Sequence, residues 1–300
     1  MTDTKTNSYE RIYLSLWETA KRYGGFAQFR VIGSSHDERM IPMLEVGTGD
    51  LPLFCLSGLD GRDRLMPEIL AEMASEYCQA YECRWRLGDV YDARQLLDRF
   101  RICVIPILNP DGWEIAERGF TAIRNPIYRQ MLRMQSIPSD EFFCNARGMD
   151  LRKNFPTYGS RRKRAGQEPA SENETKALMR IFQEYGGIGL LSFSRTGKRI
   201  LCCRGSQSFA CYQKSYRLAR HLQKCASYQV ERFHASGEEH GEGRSVGSPE
   251  QYYTEVIRQP ALIVETPSSQ GVKKGDGGWR KVYEEMSLLP MEFLFNSPVA

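Results

Sequence analysis

Three acidic residues follow apolar, strand-like runs in this sequence and could share one site. Asp60 and Asp63 come directly after Leu51–Leu56, and Glu265 ends the run 261–265. Because ligands of open α/β sheets bind at the carboxyl ends of the strands, the three side chains are candidates for one crevice. Carboxylates gathered in a crevice need a cation or bound protons to offset their repulsion. The alternative is that each is an exposed loop residue or a helix cap.

The elements that must position these residues are short apolar runs alternating with helical patterns. Strand-like runs occupy 51–56, 102–108, 189–193, 199–203 and 261–265. Helical spacing of apolar residues occupies 9–23, 66–77, 91–100, 174–185, 209–226 and 279–293. A hairpin is expected around 33–35. This alternation predicts an α/β fold with a mostly parallel sheet in a single domain, 1–300, with its core at about 9–295.

Short sequence motifs between the predicted strands indicate a turn, an irregular segment and two helix caps. Residues 109–112 (NPDG) have the composition of a turn, and 118–170 are expected to be irregular. Ser171 and Glu174 have the spacing of a capping box, in which each side chain bonds a backbone amide at the start of a helix. Ser248 is expected to cap the helix that follows it.

Composition excludes several classes of protein. The chain has 300 residues, 41% hydrophobic and 26% charged, which is typical of soluble globular proteins. Lys and Arg exceed Asp and Glu by 41 to 37, so the net charge of +4 is too small to indicate a nucleic-acid partner. The basic run 161–164 is expected to be a solvated loop. No apolar run has the roughly 18 residues of a membrane span, so no membrane partner is expected.

The expected location is the cytoplasm. Residues 1–10 are polar and lack the apolar stretch of a signal peptide. The 9 cysteines are scattered, with no zinc-type CxxC spacing, and are expected to be reduced thiols.

Five motifs, in order along the chain, resemble the zinc carboxypeptidase family of the carboxypeptidase A/B type. They are GSSHDER at 33–39, IPILNPDG at 105–112, NARGMDLRKNFP at 145–156, SENETKAL at 171–178 and LIVETP at 262–267. The resemblance covers nearly the whole chain, and the third and fifth motifs are spelled most like bacterial members that cut peptidoglycan peptides. It implies an α/β/α sandwich with a mixed, mostly parallel sheet. It also implies zinc-assisted amide hydrolysis, with a glutamate as general base.

The residues that align with the family's zinc ligands differ from them. Asp60 stands in place of a His, Asp63 in place of a Glu, and Ser194 in place of the second His. A hydroxyl is a poor zinc ligand, so most zinc affinity should be lost. Asp60 and Asp63 could still hold a weakly bound hard cation such as Mg²⁺ or Mn²⁺. Among the catalytic residues, only the general base, Glu265, matches.

The substrate-binding positions differ as well. Arg152 and Lys153 occupy the positions of the family's Asn-Arg pair, which holds the substrate carboxylate. Arg152 replaces a neutral residue, as does Arg195, so two cations are added where zinc would be lost. We therefore hypothesise that Arg152 or Arg195 enters the metal cavity and pairs with a carboxylate there; the alternative is that both point to solvent.

The histidines offer one other ligand. His240 lies in a loop that flanks the active site in the family and could replace a ligand, although an exposed loop position is the simpler interpretation. His36, His221 and His234 lie away from the predicted strand ends.

Three functions remain open from the sequence. The first is a protein without catalytic activity that binds a peptide or peptidoglycan-type fragment by its free carboxylate, through Arg152 and Lys153. The second is an active metallocarboxypeptidase with an altered metal site, in which Asp60 and Asp63 bind the ion and Glu265 acts as base. The third is a scaffold with a vestigial cleft. The cofactor is accordingly none or a weak divalent metal, and zinc only if the family activity persists.

Overall fold

The computed structural model describes residues 8–160, 168–195, 197–204, 207–234, 246–267, 272 and 274–297. The basic run 161–164 and His240 lie outside these residues, so the expectations for them stay predictions. No helix within the described ranges combines the length and the apolar character that crossing a bilayer requires.

Eight strands form one mixed sheet, in the order β1-β2-β6-β3-β7-β10-β8-β9. They are β1 (Ala27–Ser34), β2 (Met40–Val46), β3 (Leu51–Leu56), β6 (Phe100–Ile105), β7 (Gly189–Arg195), β8 (Arg199–Arg204), β9 (Gln229–His234) and β10 (Ala261–Thr266). Strands β6, β3, β7 and β10 run parallel, as the apolar runs predict. The β1–β2 hairpin is antiparallel, and β8 runs antiparallel to β10. A separate two-stranded ribbon joins β4 (Arg86–Leu87) to β5 (Tyr91–Asp92).

Helices cover both faces of the sheet, because alternate residues of its central strands point to opposite sides. Leu53 and Cys55 of β3 belong to one apolar cluster, and Phe54 and Leu56 belong to another. The first cluster is covered by α1 (Ser8–Arg22), α2 (Leu65–Cys83), α3 (Ala93–Arg99), α7 (Phe209–Ala226), α9 (Gly277–Met286) and α10 (Leu289–Phe295). The second is covered by α6 (Asn173–Tyr185) and α8 (Pro249–Val256). The α/β/α sandwich is confirmed.

Several local expectations were wrong. Residues 109–112 begin α4 (Pro110–Arg118): the Asn109 side chain accepts from the Gly112 amide and Pro110 fits the first turn. The segment expected to be irregular contains α5 (Pro126–Arg133), capped by Asn125. The closing helix is two helices, α9 and α10. Strand β9 was not predicted. Ser248 does cap α8, through the Gln251 amide.

Candidate functional site

The sheet brings three of the predicted strand ends together. Strands β3, β7 and β10 are parallel neighbours, so their carboxyl ends lie side by side. Glu265 is paired in register with Ser194 on the adjacent strand. The loop after β3, which carries Asp60 and Asp63, is pressed against the start of α4, where a Cβ on Gly61 would lie 2.3 Å from the Gly112 carbonyl carbon. The aligned positions therefore form one region, which we call the cleft.

Asp60 is held by two guanidinium groups. Arg62 donates from Nε to Oδ1 at 2.9 Å and from Nη2 to Oδ2 at 2.7 Å, and Arg152 Nη1 lies 3.5 Å from Oδ2. Burial would raise the pKa of Asp60, but the hydrogen bonds from Arg62 and the charge of Arg152 outweigh it and hold the pKa below its ordinary value. Asp60 is thus an ionised carboxylate whose two oxygens already have cationic partners.

Arg152 sits in a short 3₁₀ turn and joins Asp60 to a second carboxylate. Its Nε and Nη2 donate to Asp150 at 2.8 and 3.1 Å. The guanidinium carbons of Arg152 and Arg62 lie 4.7 and 5.0 Å from the ring centre of Phe143, so both cations contact one aromatic side chain. Lys153 Nζ lies 3.9 Å from Asp150. The hypothesis that Arg152 reaches a carboxylate of the cleft is confirmed.

Asp63 is buried and differs from Asp60 in its electrostatics. Its Oδ1 accepts from the Met66 amide in the first turn of α2 at 3.2 Å. Burial, together with the nearby charge of Asp60, raises the pKa of Asp63 to about 7, although Arg195 acts in the opposite direction. Arg195 donates from Nη1 to the Arg62 carbonyl at 3.3 Å, and its buried Nε has no hydrogen-bond partner. The Arg195 charge therefore enters the cleft without forming an ion pair with Asp60 or Glu265.

Glu265 has a partner that the sequence did not suggest. Arg199 of β8 donates to Glu265 Oε2 from Nε at 2.9 Å and from Nη2 at 2.7 Å. Arg199 also bonds Glu231 at 3.1 Å. The pairing follows from the sheet, because β8 lies antiparallel to β10 with Arg199 directly opposite Glu265.

The cleft residues do not fit a zinc ion. Zinc sites are built from imidazole, thiolate and carboxylate ligands, and the aligned positions here offer a carboxylate engaged by two arginines, a buried carboxyl group and a hydroxyl. A dication would also face the guanidinium groups of Arg62, Arg152 and Arg195.

A second polar region, which we call the motif cluster, forms from the other family-like motifs. Its first part is buried around Asp111 of the NPDG motif. Arg39 Nη1 donates to Asp111 at 2.8 Å and to Asp37 at 2.7 Å, and Ser35 Oγ donates to Asp111 at 2.7 Å. Asp37 also accepts the amides of residues 124 and 125. These bonds fix the β1–β2 turn onto α4.

The second part contains Glu172 and Glu174, both fully buried. The Asn145 amide nitrogen donates to Glu172 at 2.7 Å and reaches Glu174 at 3.3 Å. His36 Nε2 lies 3.2 Å from Glu172 Oε2, and Arg147 Nη1 lies 3.2 Å from Glu172 Oε1. The predicted capping box is wrong, because the Ser171 hydroxyl donates to Glu172 and Glu174 lies in this cluster.

The two glutamates titrate differently. Burial would raise the pKa of Glu172, but hydrogen bonds from His36, Asn145 and Ser171 hold it below its ordinary value. Burial, with the charges of Asp111 and Glu172, raises the pKa of Glu174 to about 8.

Sequence reasoning missed Arg62, Phe143, Asp150 and Arg199 as residues of the cleft. Arg62 and Asp150 could have been suspected, since each is two residues from a charged partner in the same loop. Arg199 and Phe143 could not, because only the strand order and the packing of the 143–152 segment bring them in.

The sequence model described as zinc carboxypeptidase, peptidase family M14, matches residues 12–270. The α/β/α fold and the strand-end cleft define a metallocarboxypeptidase-like protein, and the chain belongs to the zinc carboxypeptidase family. No curated protein sequence matches it.

Solved structures share the fold at low sequence identity. Thrombin-activatable fibrinolysis inhibitor matches with a TM-score of 0.71 and 15% identity, over 96% of this chain and 73% of that one. Carboxypeptidase A from Helicoverpa armigera matches at 0.65 and 16%, over 97% and 74%. A metallo-carboxypeptidase from Burkholderia cenocepacia matches at 0.63 and 13%, over 95% and 68%. At such identities the likeness establishes the fold alone.

Proposed function

We propose that this protein binds the free carboxylate of a peptide or peptidoglycan-type fragment in its cleft and does not hydrolyse it. The observation that carries the proposal is the engagement of Asp60 by Arg62 and Arg152. Guanidinium groups bind carboxylates through paired, charge-assisted hydrogen bonds, and here they occupy the side of the cleft where a metal ligand would have to act.

The charges of the cleft favour an anionic ligand. The cleft has five cationic side chains against four carboxylates. The cations are Arg62, Arg152, Lys153, Arg195 and Arg199, and the carboxylates are Asp60, Asp63, Asp150 and Glu265. The side chains of Arg152 and Lys153 are 36% exposed, so a ligand can reach them. The buried Nε of Arg195 is a donor that a ligand oxygen could satisfy.

Loss of hydrolysis follows from the same contacts. A general base needs an activated water molecule, and the family chemistry obtains it from zinc. Asp60 is paired to arginines, Ser194 stands in place of a histidine, and Glu265 is bonded by Arg199, so none of these described residues of the cleft is placed to activate water as zinc does. A cytoplasmic location belongs to this proposal, in line with the eight described cysteines, which are free thiols.

Calorimetry with a matched peptide pair tests the binding. An N-acetylated peptide ending in D-Ala-D-Ala is compared with its C-terminal amide, which lacks the carboxylate. We expect the free acid to bind and the amide to bind about 10–100-fold more weakly, the equivalent of one or two charged hydrogen bonds. Arg152→Gln and Lys153→Ala should each weaken binding of the acid, whereas Arg220→Gln on the far helix α7 should not. Equal affinities for acid and amide would overturn the proposal.

The absence of hydrolysis is measured on the same peptide by chromatography, with and without added Zn²⁺ or Mn²⁺. Cleavage that is lost in Asp60→Asn and Glu265→Gln would instead support the altered metallocarboxypeptidase. Intact peptide under all conditions, with binding retained, is the expected result.

A further inference from the structure

The motif cluster contains a mixed nitrogen and oxygen donor set that the cleft lacks. One ligand atom each from His36, Glu172 and Glu174 lies within 4.8 Å of the other two. All three side chains are held in place, and none of them belongs to the cleft. Imidazole and carboxylate together suit divalent ions of the zinc type.

Charge in this cluster is incompletely balanced. Four buried carboxylates, Asp37, Asp111, Glu172 and Glu174, face the guanidinium groups of Arg39 and Arg147. Within the part of the chain that the structure describes, the remaining ion-pair partner is His36. Buried carboxylates without a matching cation are costly, so the imbalance favours either protons or a metal.

The hydrogen bonds that hold Glu172 and Glu174 in place are of the kind found around metal ligands. Asn145 cannot turn its oxygen inward, because Oδ1 accepts the amides of Arg147 and Met149 at 3.1 and 3.0 Å. Its nitrogen therefore stays on the glutamates, and Ser171 and Arg147 bond the other oxygen of Glu172. Hydrogen bonds of this kind orient carboxylate ligands in metal sites.

Distances and access also fit. His36 Nε2 and Glu172 Oε2 are 3.2 Å apart. Zinc bonds of about 2.0–2.2 Å place tetrahedral ligand atoms about 3.3–3.6 Å apart, so this pair already has the required spacing. An ion would take the Nε2 lone pair that now accepts the Asn173 amide at 3.4 Å, and would draw the three ligand atoms, now within 4.8 Å of one another, closer together. The side chains of His36 and Arg147 are 14% and 29% exposed, whereas Glu172 is fully buried.

We propose that His36, Glu172 and Glu174 bind a divalent metal ion of the Zn²⁺ class, separately from the cleft. His36 lies in the β1–β2 turn and the glutamates lie at the start of α6, so the ion would tie the hairpin to that helix. Its role is structural, and the proposal does not depend on carboxylate binding in the cleft.

Measuring the metal bound to the whole chain tests this proposed site. The protein is stripped with a chelator, kept reduced, dialysed against Zn²⁺ or Co²⁺ and analysed for bound metal. We expect one ion per chain. Glu174→Gln and His36→Gln should each lower the affinity by more than the roughly 10–100-fold cost of losing an outer-shell partner. Two controls should bind one metal ion with the affinity of the unmodified chain. They are the double variant Asp60→Asn/Asp63→Asn and the histidine variant His221→Gln.

Folding is checked separately, so that loss of metal is not confused with loss of structure. Glutamine keeps the shape of Glu174 and can still bond Asn145, so the unfolding midpoint of Glu174→Gln in chelator should stay near that of the unmodified chain. The midpoint of the unmodified chain should rise with Zn²⁺, and that of Glu174→Gln should not. His36→Gln, at a partly exposed position, repeats the comparison if Glu174→Gln does not fold.

Three outcomes would overturn the proposal. They are no bound ion in any sample, loss of the ion in the Asp60→Asn/Asp63→Asn variant, and a thiolate charge-transfer band in the Co²⁺ spectrum that disappears in Cys83→Ser.

Discussion

The cleft and the motif cluster are built from the same set of family-like motifs, yet they differ in what has been retained. The motif cluster keeps Asn145, Asp111 and Glu172 in a buried hydrogen-bonded network. The cleft has carboxylates and a hydroxyl where zinc ligands are expected, with arginines bonded to Asp60. In this chain the residues that hold loops and helices together match the family motifs, whereas the residues at the zinc-ligand positions differ. The similarity of the motifs therefore indicates a shared fold more than a shared active site.

The largest effect is expected from breaking the motif cluster. Arg39→Ala would leave Asp37 and Asp111 buried without their shared cation. Removing one partner of a buried ion pair costs about 3–5 kcal/mol, so the free energy of unfolding should fall by that amount in urea titrations. Arg220→Ala, at an exposed helix position, should change it by less than about 0.5 kcal/mol. A similar small change for Arg39→Ala would mean that the cluster does not stabilise the fold.

The second-largest effect is expected on zinc affinity, when the zinc ligands of the family are introduced into the cleft. Asp60→His, Asp63→Glu and Ser194→His are combined in a chain that also carries His36→Gln, so that zinc counted by dialysis is bound in the cleft. Because β3 and β7 are adjacent, the new side chains should converge, and we expect zinc affinity to rise at least about 1000-fold over the His36→Gln parent, or about 4 kcal/mol. If the affinity does not change, the two regions differ in backbone geometry as well as in side chains.

Asp63 gives the cleft a pH dependence. Its pKa is about 7 in the folded chain and 3.8 in the unfolded reference, so between these values the folded chain holds the extra proton. The free energy of unfolding should therefore fall as pH rises from 4 to 7, by up to about 1.4 kcal/mol per pH unit, and level off above 7. Asp63→Asn should remove this slope when urea unfolding is measured from pH 5 to 8. The control variant Asp140→Asn, at an exposed position, should keep the pH slope of the unmodified chain. If the unfolding free energies of Asp63→Asn and the unmodified chain change with pH in parallel, the slope does not come from Asp63.

The smallest effect is expected from Phe143, the ring shared by Arg62 and Arg152. Phe143→Leu keeps an apolar side chain but removes both cation–π contacts. At a partly exposed site such contacts contribute about 0.5–1 kcal/mol each, so the free energy of unfolding should fall by about 1 kcal/mol. Calorimetry should show peptide affinity reduced by a few-fold. Phe209, whose side chain is 74% exposed, provides the control variant Phe209→Leu. Equal effects of the two variants would show that the contacts of Phe143 with Arg62 and Arg152 do not stabilise the chain.

The sequence by itself determined the layered α/β architecture and the convergence of strand ends. Apolar runs such as Leu51–Leu56 have the length and composition of strands buried on both faces, and such strands require helices on both sides. The order of motifs gave the family, and the substitutions at Asp60, Asp63 and Ser194 predicted an altered metal site. The added charge of Arg152 predicted that it would approach a carboxylate.

Only the tertiary structure decided which charges pair. Glu265 bonds Arg199 because β8 lies antiparallel beside β10, a direction that apolar periodicity does not encode. Ser171 and Glu174 have the spacing of a capping box, but Ser171 donates to the neighbouring Glu172, and Asn145, from another part of the chain, bonds Glu174. His36 lies away from the predicted strand ends in the sequence, and Asn173, whose amide it accepts, is 137 residues further along the chain. Such long-range contacts depend on how the loops fold over the sheet, which no local pattern specifies.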